Sequence, residues 1–311
     1  TLSPPDENGF CSFGQVMWNN RFYLQQADLV IAEIDPALIR TYGDNFIHVS
    51  EIDYLVEQPP MEKPPRKHVY PGPEKHEEKI GEYAATLVKD GDTIELGGGR
   101  ISFAMTRYLR HKNDLGVHTE ATPPGLIDLV KDGVITGKYK TLHPGKVVTT
   151  CCAVEPEELV YVDRNPLFEL YEVSYVNNPR VIAANDNMVA INNAIAIDLT
   201  GQVNCESFGP QMWSGTGGQL DFVIGAMLSR GGRSITVIPA TARAGKTSRI
   251  VPFLEPGTIV SVPRIYVDYV VTEFGIANLQ GKSQRERAEA LISIAHPDFR
   301  EELRSAAKKL F

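Results

Sequence analysis

The segment Leu115–Val130, which reads LGVHTEATPPGLIDLV, decides the fold class because it combines a short apolar strand with the start of a helix. Its first half predicts a strand over 115–119. Its second half predicts a helix over 124–132, with Thr122 as the cap and proline in the first turn. Glu120 falls at the junction, where open α/β sheets bind their ligands. Glu120 is therefore a candidate nucleophile or base; the alternative is an exposed loop glutamate.

The same strand-then-helix order continues on both sides of this segment. Thr93–Leu96 predicts a strand, Gly97-Gly98-Gly99 a turn, and Ile101–Leu109 a helix. Further strands are predicted at 147–152, 181–183, 188–199, 234–239, 258–262 and 267–271, and helices at 80–88, 219–229, 285–294 and 297–309. This alternation predicts a layered α/β fold around a mainly parallel sheet.

The first 55 residues carry at least three strand-like runs, separated by short polar turns. The runs are Phe10–Val16, Leu29–Ile34 and Phe46–Val49. Residues 56–78 then contain six prolines, which exclude a regular helix or a central strand. We interpret this stretch as a linker or a long surface connection, and as the strongest domain boundary in the sequence.

Composition excludes several classes of protein. The 311 residues carry a formal charge of −8, and no block of lysine or arginine suggests a nucleic-acid partner. No apolar run approaches the roughly 18 residues of a membrane span. Histidines are scattered and no C-x-x-C motif occurs, so no structural zinc site is expected. The four cysteines, two of them adjacent, predict buried free thiols in a reducing compartment, the cytoplasm.

Two glycine-rich turns are candidate binding loops because glycine lets the backbone approach a ligand and leaves amide N–H groups free to donate. The first is Gly97-Gly98-Gly99, whose amides would bind a phosphate or an oxyanion. The second comprises Gly215, Thr216, Gly217 and Gly218, before a predicted helix. The alternative for each is a tight turn without a ligand. Gly245-Lys246-Thr247 is not a phosphate loop, because Ala240 occupies the place of the required glycine.

Long runs in order along the chain resemble the acetyl-CoA hydrolase/transferase family, and the closest branch resembles the 4-hydroxybutyrate and butyryl-CoA:acetate CoA-transferases. The runs include Ser3–Ser12, the glycine turn at 97–99, Leu115–Glu120, Lys140–Lys146, Asn185–Asn192, Asp198–Val203, Ser214–Phe222, Ser248–Pro252 and Val267–Gly275. They cover nearly the whole chain.

The resemblance implies two related open α/β domains of the CoA-transferase type. Residues 1–72 would be the C-terminal part of the first domain with the Pro-rich linker, so that the first domain is N-terminally incomplete. Residues 73–311 would be the second domain, which carries the catalytic glutamate. The resemblance also implies self-association as a homo-oligomer, coenzyme A as a substrate, and no permanently bound cofactor or metal.

The resemblance places individual site residues as well. It implies Glu120 as the nucleophile and the amide of Gly98 as the oxyanion donor. It further implies coenzyme A contacts at Gly97, Gly99 and the 215–218 loop, and an active-site asparagine at Asn177, for which the alternative is a plain turn. Family members commonly have a residue other than arginine at position 100. We interpret Arg100 of this chain as a partner for an anionic substrate tail.

The activity that the resemblance implies is transfer of CoA between an acyl-CoA and a small free carboxylic acid. A covalent route through a glutamyl anhydride and a glutamyl-CoA thioester would avoid any need for ATP. Butyrate, 4-hydroxybutyrate, acetate, succinate and itaconate-like acids all stay open as substrates. The alternatives are an acyl-CoA hydrolase with the same glutamate, and an inactive CoA-binding module.

Overall fold

The computed structural model describes residues 1–57 and 72–311, in which helices and strands alternate. The α-helices of these residues are α1 (Asn20–Gln26), α2 (Lys75–Thr86), α3 (Arg100–Tyr108), α4 (Leu126–Lys131), α5 (Pro156–Val162), α6 (Val173–Val176), α7 (Pro179–Ala183), α8 (Gln219–Leu228), α9 (Gln284–Ile294) and α10 (Arg300–Leu310). Short 3₁₀ turns lie at Val49–Glu51, Leu109–His111, Arg264–Tyr266 and Pro297–Phe299.

The strands of the same residues are β1 (Phe10–Ser12), β2 (Ile31–Ile34), β3 (Tyr42–Gly43), β4 (Phe46–His48), β5 (Tyr54–Glu57), β6 (Thr93–Leu96), β7 (Gly116–Thr122), β8 (Val147–Cys152), β9 (Phe168–Leu170), β10 (Met188–Asn193), β11 (Ala196–Asp198), β12 (Val203–Asn204), β13 (Ser207–Phe208), β14 (Gln211–Met212), β15 (Arg233–Val237), β16 (Thr241–Ala242), β17 (Thr247–Ser248), β18 (Ile250–Val251), β19 (Tyr269–Thr272) and β20 (Gly275–Asn278).

Nine of these strands form one sheet in the order β20-β19-β15-β10-β6-β7-β8-β9-β3. Every neighbouring pair is parallel except β19 with β20. The prediction of a mainly parallel α/β sheet is therefore confirmed. Strand β8 fits this arrangement, since all six of its residues are buried, as expected where both faces of a parallel sheet are covered.

The sheet has a topological switch point between β6 and β10. From β6 the chain adds β7, β8 and β9 on one side, and then returns to place β10 on the other side of β6. Loops leave β6 and β10 in opposite directions there, which opens a crevice at the carboxyl ends of the strands. The glycine turn 97–99 follows β6 directly, so it lies at this crevice.

Helices cover the two faces of the sheet and divide its side chains between two core clusters. Ile94 and Leu96 of β6 pack into the larger cluster together with α2, α3 and α4. On the opposite face, Ala190 of β10 packs with residues of α6, α7 and α8. Because side chains alternate along a strand, Glu95 of β6 belongs to this second face, and so do the even-numbered residues of β7.

The N-terminal segment is attached to the sheet through its outer strands. Tyr42 of β3 pairs with Glu169 of β9, and Val16 forms a bridge to Cys151 at the end of β8. The Met17 amide also donates to the Thr150 carbonyl at 2.8 Å. Most of the predicted linker, residues 58–71, lies outside the described residues. The division into two CoA-transferase domains stays a prediction.

Several predicted elements are wrong in detail. Residues 181–183 are helical, not a strand, because the Asn178 side chain caps α7 and Pro179 occupies its first turn. Residues 258–262 form no strand beyond a single bridge from Val262.

The junction after Glu120 also differs from the prediction. β7 extends through Thr122, so Thr122 does not cap the next helix. Gly125, with a φ of 83°, makes the turn into α4 instead. Glu120 is therefore a strand residue. None of the helices in the described ranges has the length and apolarity to cross a bilayer.

Buried Arg233 of β15 links three segments near the centre of the sheet. Its guanidinium forms an ion pair with Asp92, which precedes β6, and its Nε donates a hydrogen bond to the Leu87 carbonyl oxygen at 2.8 Å. Asp92 is 3 % exposed and its burial raises its pKa. We expect Arg233→Met to lower the free energy of unfolding by about 3–5 kcal/mol, because Asp92 is left buried without its cation.

Urea unfolding at pH 7 measures this effect. The double variant Arg233→Met, Asp92→Asn is the control, and it should recover part of the loss because it removes the uncompensated charge as well. A single-variant loss below about 1 kcal/mol would contradict the assigned role of the pair.

Candidate active site

Glu120 is held by its own backbone near the end of β7. The β7–β8 ladder pairs Thr119 with Thr149 and Ala121 with Cys151, and Glu120 lies between these two pairs. The Thr149 hydroxyl donates to the Glu120 carbonyl oxygen at 3.0 Å. The half-buried Glu120 side chain then extends on the face covered by α6, α7 and α8. A strand, and not a mobile loop, therefore carries the candidate nucleophile.

Asn177 contacts the Glu120 carboxylate. It follows α6 directly, and its Nδ2 donates a hydrogen bond to Glu120 Oε2. No hydrogen bond from a described residue reaches Glu120 Oε1. One carboxylate oxygen is thus fixed while the other is available to attack an electrophile. The sequence prediction that Asn177 lies at the site agrees with this geometry.

His118 fixes the position of α6, and through it Asn177. The imidazole is fully buried two residues before Glu120, and its Nε2 donates to the Val176 carbonyl at 2.8 Å. Burial, with a smaller contribution from nearby Lys140, lowers the pKa of His118 to about 3. The ring is therefore neutral at physiological pH and carries no proton to the substrate. It anchors a neighbouring element, because its Nε2 bonds to the last residue of α6.

The second glycine turn lies directly against the carboxylate. A β-carbon at Gly218 would overlap both Glu120 Oε2 and Asn177 Nδ2, whereas one at Gly217 or Gly215 would enter open space. Thr216 donates through its hydroxyl to Glu206 at 3.3 Å, which fixes the turn. The backbone amides of 215–218 donate to no acceptor among the described residues. Glycine is needed at 218 for close approach.

The first glycine turn is held by its carbonyl groups. Ser102 Oγ donates to the Gly97 carbonyl, and Asn193 Nδ2 donates to the Gly98 carbonyl at 2.8 Å. The amides of Gly98 and Gly99 have no acceptor among residues 1–57 and 72–311. Carbonyls turned inward and amides left free are the arrangement that an oxyanion site needs.

The β6–β7 register places this turn beside the candidate nucleophile. Ile94 pairs with Val117, so continuation of the same register brings Gly97 level with Glu120 on the adjacent strand. The Leu96 amide also lies 3.4 Å from Thr119 Oγ1, which keeps the two strand ends together. Residues 97–99 are thus neighbours of Glu120, although they do not line the cavity described next.

A cavity of about 720 Å³ opens at the Glu120 carboxylate, a volume in the range of ligand-binding sites. Among the predicted residues it brings together Glu120, Asn177, Thr216, Gly217 and Gly218, but not Gly215. Its other lining residues were not predicted from the sequence: Trp18, Asn19, Val173, Ser174, Asn178, Pro179 and Asp221. Of these, Asp221 lies in the run Ser214–Phe222, and Asn178 and Pro179 belong with Asn177 to a turn-forming segment of the sequence.

Several acidic groups lie around Glu120, and its charge contributes to their raised pKa values. Burial, and then the Glu120 charge, raise the pKa of Asp221. The same two causes, in the same order, raise the pKa of the Cys151 thiol to about 11. The pKa of fully buried Glu95 lies well above the ordinary value, chiefly through burial and also through Glu120. The Cys151 thiol is therefore protonated at neutral pH.

The Arg100 side chain forms ion pairs outside the cavity. Its guanidinium pairs with Glu77 at 3.0 Å and with Glu74 at 3.2 Å, both at the start of α2. The hypothesis that Arg100 binds an anionic substrate tail is not supported by this placement, since its charge is already compensated. Within the described ranges, no group of three or more histidine, cysteine, aspartate or glutamate side chains is arranged to hold a metal ion.

Comparison with known proteins identifies the family. Residues 157–307 match the model of the acetyl-CoA hydrolase/transferase C-terminal domain. The 4-hydroxybutyrate coenzyme A transferase of Clostridium kluyveri is 49% identical over 313 residues, covering 100% of this chain and 72% of that protein.

Two solved structures are similar as well. RipA from Yersinia pestis superposes with a TM-score of 0.91 at 41% identity, covering 99% of this chain and 69% of that one. The 4-hydroxybutyrate CoA-transferase from Porphyromonas gingivalis has a TM-score of 0.86 at 41% identity, covering 100% and 74%. The fold and site thus define a CoA-transferase, which confirms the predicted enzyme class. The chain belongs to the acetyl-CoA hydrolase/transferase family.

The contact at Gly218 predicts a sharp difference between two adjacent glycines. Gly218→Ala puts a methyl group against the Glu120–Asn177 hydrogen bond. We expect CoA-transfer activity to fall roughly 10²-fold, because a displacement of about 1 Å of a reacting group costs that much. Gly217→Ala is the matched control, since its methyl group meets nothing within 4 Å. Steady-state kinetics on both variants measure the difference, and equal activities would refute the assignment.

His118 predicts a specific acid sensitivity of the fold. Its pKa is lowered from 6.5 to about 3 in the folded state, so the unfolded chain binds a proton below pH 6.5 that the folded chain does not. The stability that neutral His118 contributes is complete above pH 6.5. It is lost as the pH falls toward 3, at about 1.4 kcal/mol per pH unit.

His118→Gln should flatten this slope, because glutamine does not titrate and keeps an N–H donor for Val176. His111 is exposed, so His111→Gln is the control and should leave the slope unchanged. Denaturant unfolding at pH values from about 4 to about 8, which include most of the range where the contribution of His118 changes, gives both slopes. A slope in His118→Gln as steep as in the parent would count against the buried neutral imidazole.

Proposed function

We propose that this CoA-transferase moves CoA between an acyl-CoA and a small free carboxylic acid, and that Glu120 is its covalent nucleophile. The observation that carries the proposal is the Glu120 carboxylate itself. One of its oxygens is hydrogen-bonded to Asn177, and the other has no partner among the described residues. It lies at a cavity large enough for a thioester, with two turns of unoccupied amides beside it.

The first half of the reaction loads the enzyme. Glu120 Oε1 attacks the thioester carbonyl carbon, a C–O bond forms, and the C–S bond breaks to release CoA thiolate. The product is an acyl-glutamyl anhydride. The thiolate then attacks the glutamyl carbonyl carbon of the anhydride, the other C–O bond breaks, and the donor acid leaves as a carboxylate. Glu120 is now a glutamyl-CoA thioester, and no proton has been gained or lost overall.

The second half repeats these steps in reverse with the acceptor. The carboxylate of the incoming acid attacks the glutamyl-CoA thioester and regenerates an anhydride and the thiolate. The thiolate then attacks the acyl carbon of that anhydride, which gives the new acyl-CoA and free Glu120. Acids of the size of acetate, butyrate or 4-hydroxybutyrate are the proposed substrates. The net reaction breaks one CoA thioester and forms another, so CoA as a substrate suffices and no further cofactor is needed.

Each attack creates an oxyanion, and the two glycine turns supply donors for it. The amides of Gly98 and Gly99 approach from β6, and those of 216–218 approach from the turn before α8. Loss of one such donor typically lowers the rate roughly 10²–10³-fold. The amides have no competing acceptor among the described residues, so they need no rearrangement to bind the oxyanion.

Hydrolysis of the acyl-CoA by the same glutamate is the second candidate, because the anhydride also reacts with water. Release of free CoA in the absence of any acceptor acid distinguishes it from transfer. An inactive CoA-binding module would give neither reaction. Cytoplasmic location and self-association are further proposals; the first is supported by four cysteines that form no disulfide, three of them buried.

The covalent step gives a direct prediction. With acyl-CoA alone, the parent protein should gain the mass of CoA at Glu120, and borohydride reduction of the thioester should fix the modification at that residue. Glu120→Gln should show no adduct and at least a ~10³-fold lower transfer rate, because the amide is a poor nucleophile. Glu206→Gln is a control that changes a carboxylate near the 215–218 turn and leaves Glu120 in place. An adduct on another residue would refute the proposal.

A further inference from the structure

The run Lys140–Lys146 takes no part in the transfer chemistry, yet it contains a strained residue. His143 has a φ of 50°, a left-handed value that is uncommon for residues other than glycine, and it precedes Pro144. The loop is fixed at this point, because the Leu142 amide donates to Asn185 Oδ1 at 3.2 Å. Strain of this kind persists only where the surroundings impose it, and it is concentrated at functional sites.

The His143 imidazole is hydrogen-bonded on both sides. Its Nδ1 lies 2.9 Å from Glu169 Oε2, and its Nε2 lies 2.7 Å from the Tyr175 hydroxyl oxygen. Because a carboxylate only accepts, Nδ1 of the neutral ring carries the proton and donates to Glu169. Nε2 then has a lone pair, to which the Tyr175 hydroxyl donates. Glu169 therefore sets the tautomer of the ring and the direction of the hydrogen bond to Tyr175.

The two ends of this chain of hydrogen bonds are well defined. Glu169 lies in β9, and its carboxylate also accepts from the Tyr171 hydroxyl at 3.0 Å and pairs with Lys146 Nζ at 3.5 Å. At the other end, burial and then the charge of Glu169 raise the pKa of Tyr175, so its hydroxyl keeps the proton that it donates. His143 thus links a strand of the sheet to the Tyr175 side chain.

Tyr175 belongs to α6, the short helix that ends directly before Asn177. A helix of four residues makes about one turn and does not define its own orientation. Bonds from outside the helix therefore set it. His118 donates to the backbone carbonyl of Val176, and His143 accepts from the Tyr175 side chain. Both bonds act within two residues of Asn177.

We propose that His143 is a positioning residue for the transfer reaction. It holds α6 through the Tyr175 hydroxyl, and α6 in turn places Asn177 against Glu120. This inference rests on the proposed function of Glu120. His143, Glu169 and Tyr175 lie outside the cavity at Glu120, so they act on the carboxylate and not on the substrate. Without this link α6 shifts, and Glu120 loses the fixed orientation that its attack requires.

Two tyrosine variants of the full-length protein test the link. Tyr175→Phe removes the hydroxyl that bonds His143 Nε2. Tyr171→Phe is the matched control, because its hydroxyl bonds Glu169, lies 3.4 Å from His143 Nδ1 and precedes α6. We expect Tyr175→Phe to slow formation of the Glu120–CoA adduct at least about tenfold at saturating acyl-CoA, with KM changed less than about twofold. Tyr171→Phe should slow it less than about twofold.

Substitutions at His143 test the acceptor itself. His143→Gln places an amide oxygen near the position of Nε2, where it accepts from the Tyr175 hydroxyl, whereas His143→Leu fills the space without an acceptor. We expect His143→Gln to form the adduct at least about fivefold faster than His143→Leu. The backbone strain at this position is the same in both variants. Thermal unfolding of all four variants confirms that they are folded.

A double-mutant cycle shows whether the effect passes through Asn177. In Asn177→Ala protein, Tyr175→Phe should slow adduct formation by less than about a further twofold, because the hydrogen bond that it positions is already absent. A merely structural effect of Tyr175→Phe would be as large in this background as in the parent. That result would overturn the proposal.

The outcomes separate this inference from the proposed function. Equal rates for folded Tyr175→Phe and Tyr171→Phe, or for folded His143→Gln and His143→Leu, overturn the positioning role and leave Glu120 as the nucleophile. Absence of any CoA adduct on Glu120 in the parent overturns the proposed function and this inference with it. A selective loss in Tyr175→Phe that disappears in the Asn177→Ala background supports the positioning role.

Discussion

The hydrogen bond from Asn177 to Glu120 Oε2 is the constraint on which the site depends. It decides which carboxylate oxygen is free, and it exists only because two elements distant in the sequence are fixed against each other. Glu120 is fixed by β7 in the sheet. Asn177 is fixed by α6, which His118 holds through the Val176 carbonyl. The same strand therefore carries Glu120 and the residue that anchors its hydrogen-bond partner.

Gly218 makes that hydrogen bond compatible with a third element. The turn before α8 approaches so closely that a side chain at 218 would occupy the position of the two bonded atoms. This turn and the turn 97–99 both lie next to Glu120, and the amides of 215–218, Gly98 and Gly99 have no acceptor among the described residues. The topological switch point explains why both turns lie there, because the strand ends on either side of it open toward the same crevice.

The sequence predicts those parts of the fold that depend on local signals. The predicted strands 93–96 and 147–152 coincide with β6 and β8, since glycine or proline and charged residues flank the run in each case. Short strands such as β16 and β17 are missed because two-residue pairs have no periodicity. Residues 181–183 were mistaken for a strand because three apolar residues do not distinguish a strand from a capped helical turn.

The residues of the candidate site also differ in whether local sequence signals could predict them. Glu120 and the two glycine turns stand in long recognisable runs, so the resemblance predicts them directly, whereas Asn177 lies outside those runs and was assigned only approximately. Trp18 could not be placed, because its position at the cavity depends on hydrogen bonds to Thr150 and Val173, more than 130 residues away in a sequence of 311. The pairing of Arg100 with Glu77 was missed for a similar reason, since it requires α2 to pack beside α3.

Acylation of Glu120 would change the electrostatics of its acidic neighbours. After burial, the charge of Glu120 contributes to the raised pKa of Asp221 and of the Cys151 thiol. In the proposed cycle Glu120 becomes a neutral anhydride or thioester, and its contribution to the pKa of Asp221 is then absent. The ionised form of Asp221 is therefore less costly in the covalent intermediates than in the free enzyme. Oxyanion donors act only at the tetrahedral states between these intermediates, so the two electrostatic effects belong to different states of the same cycle.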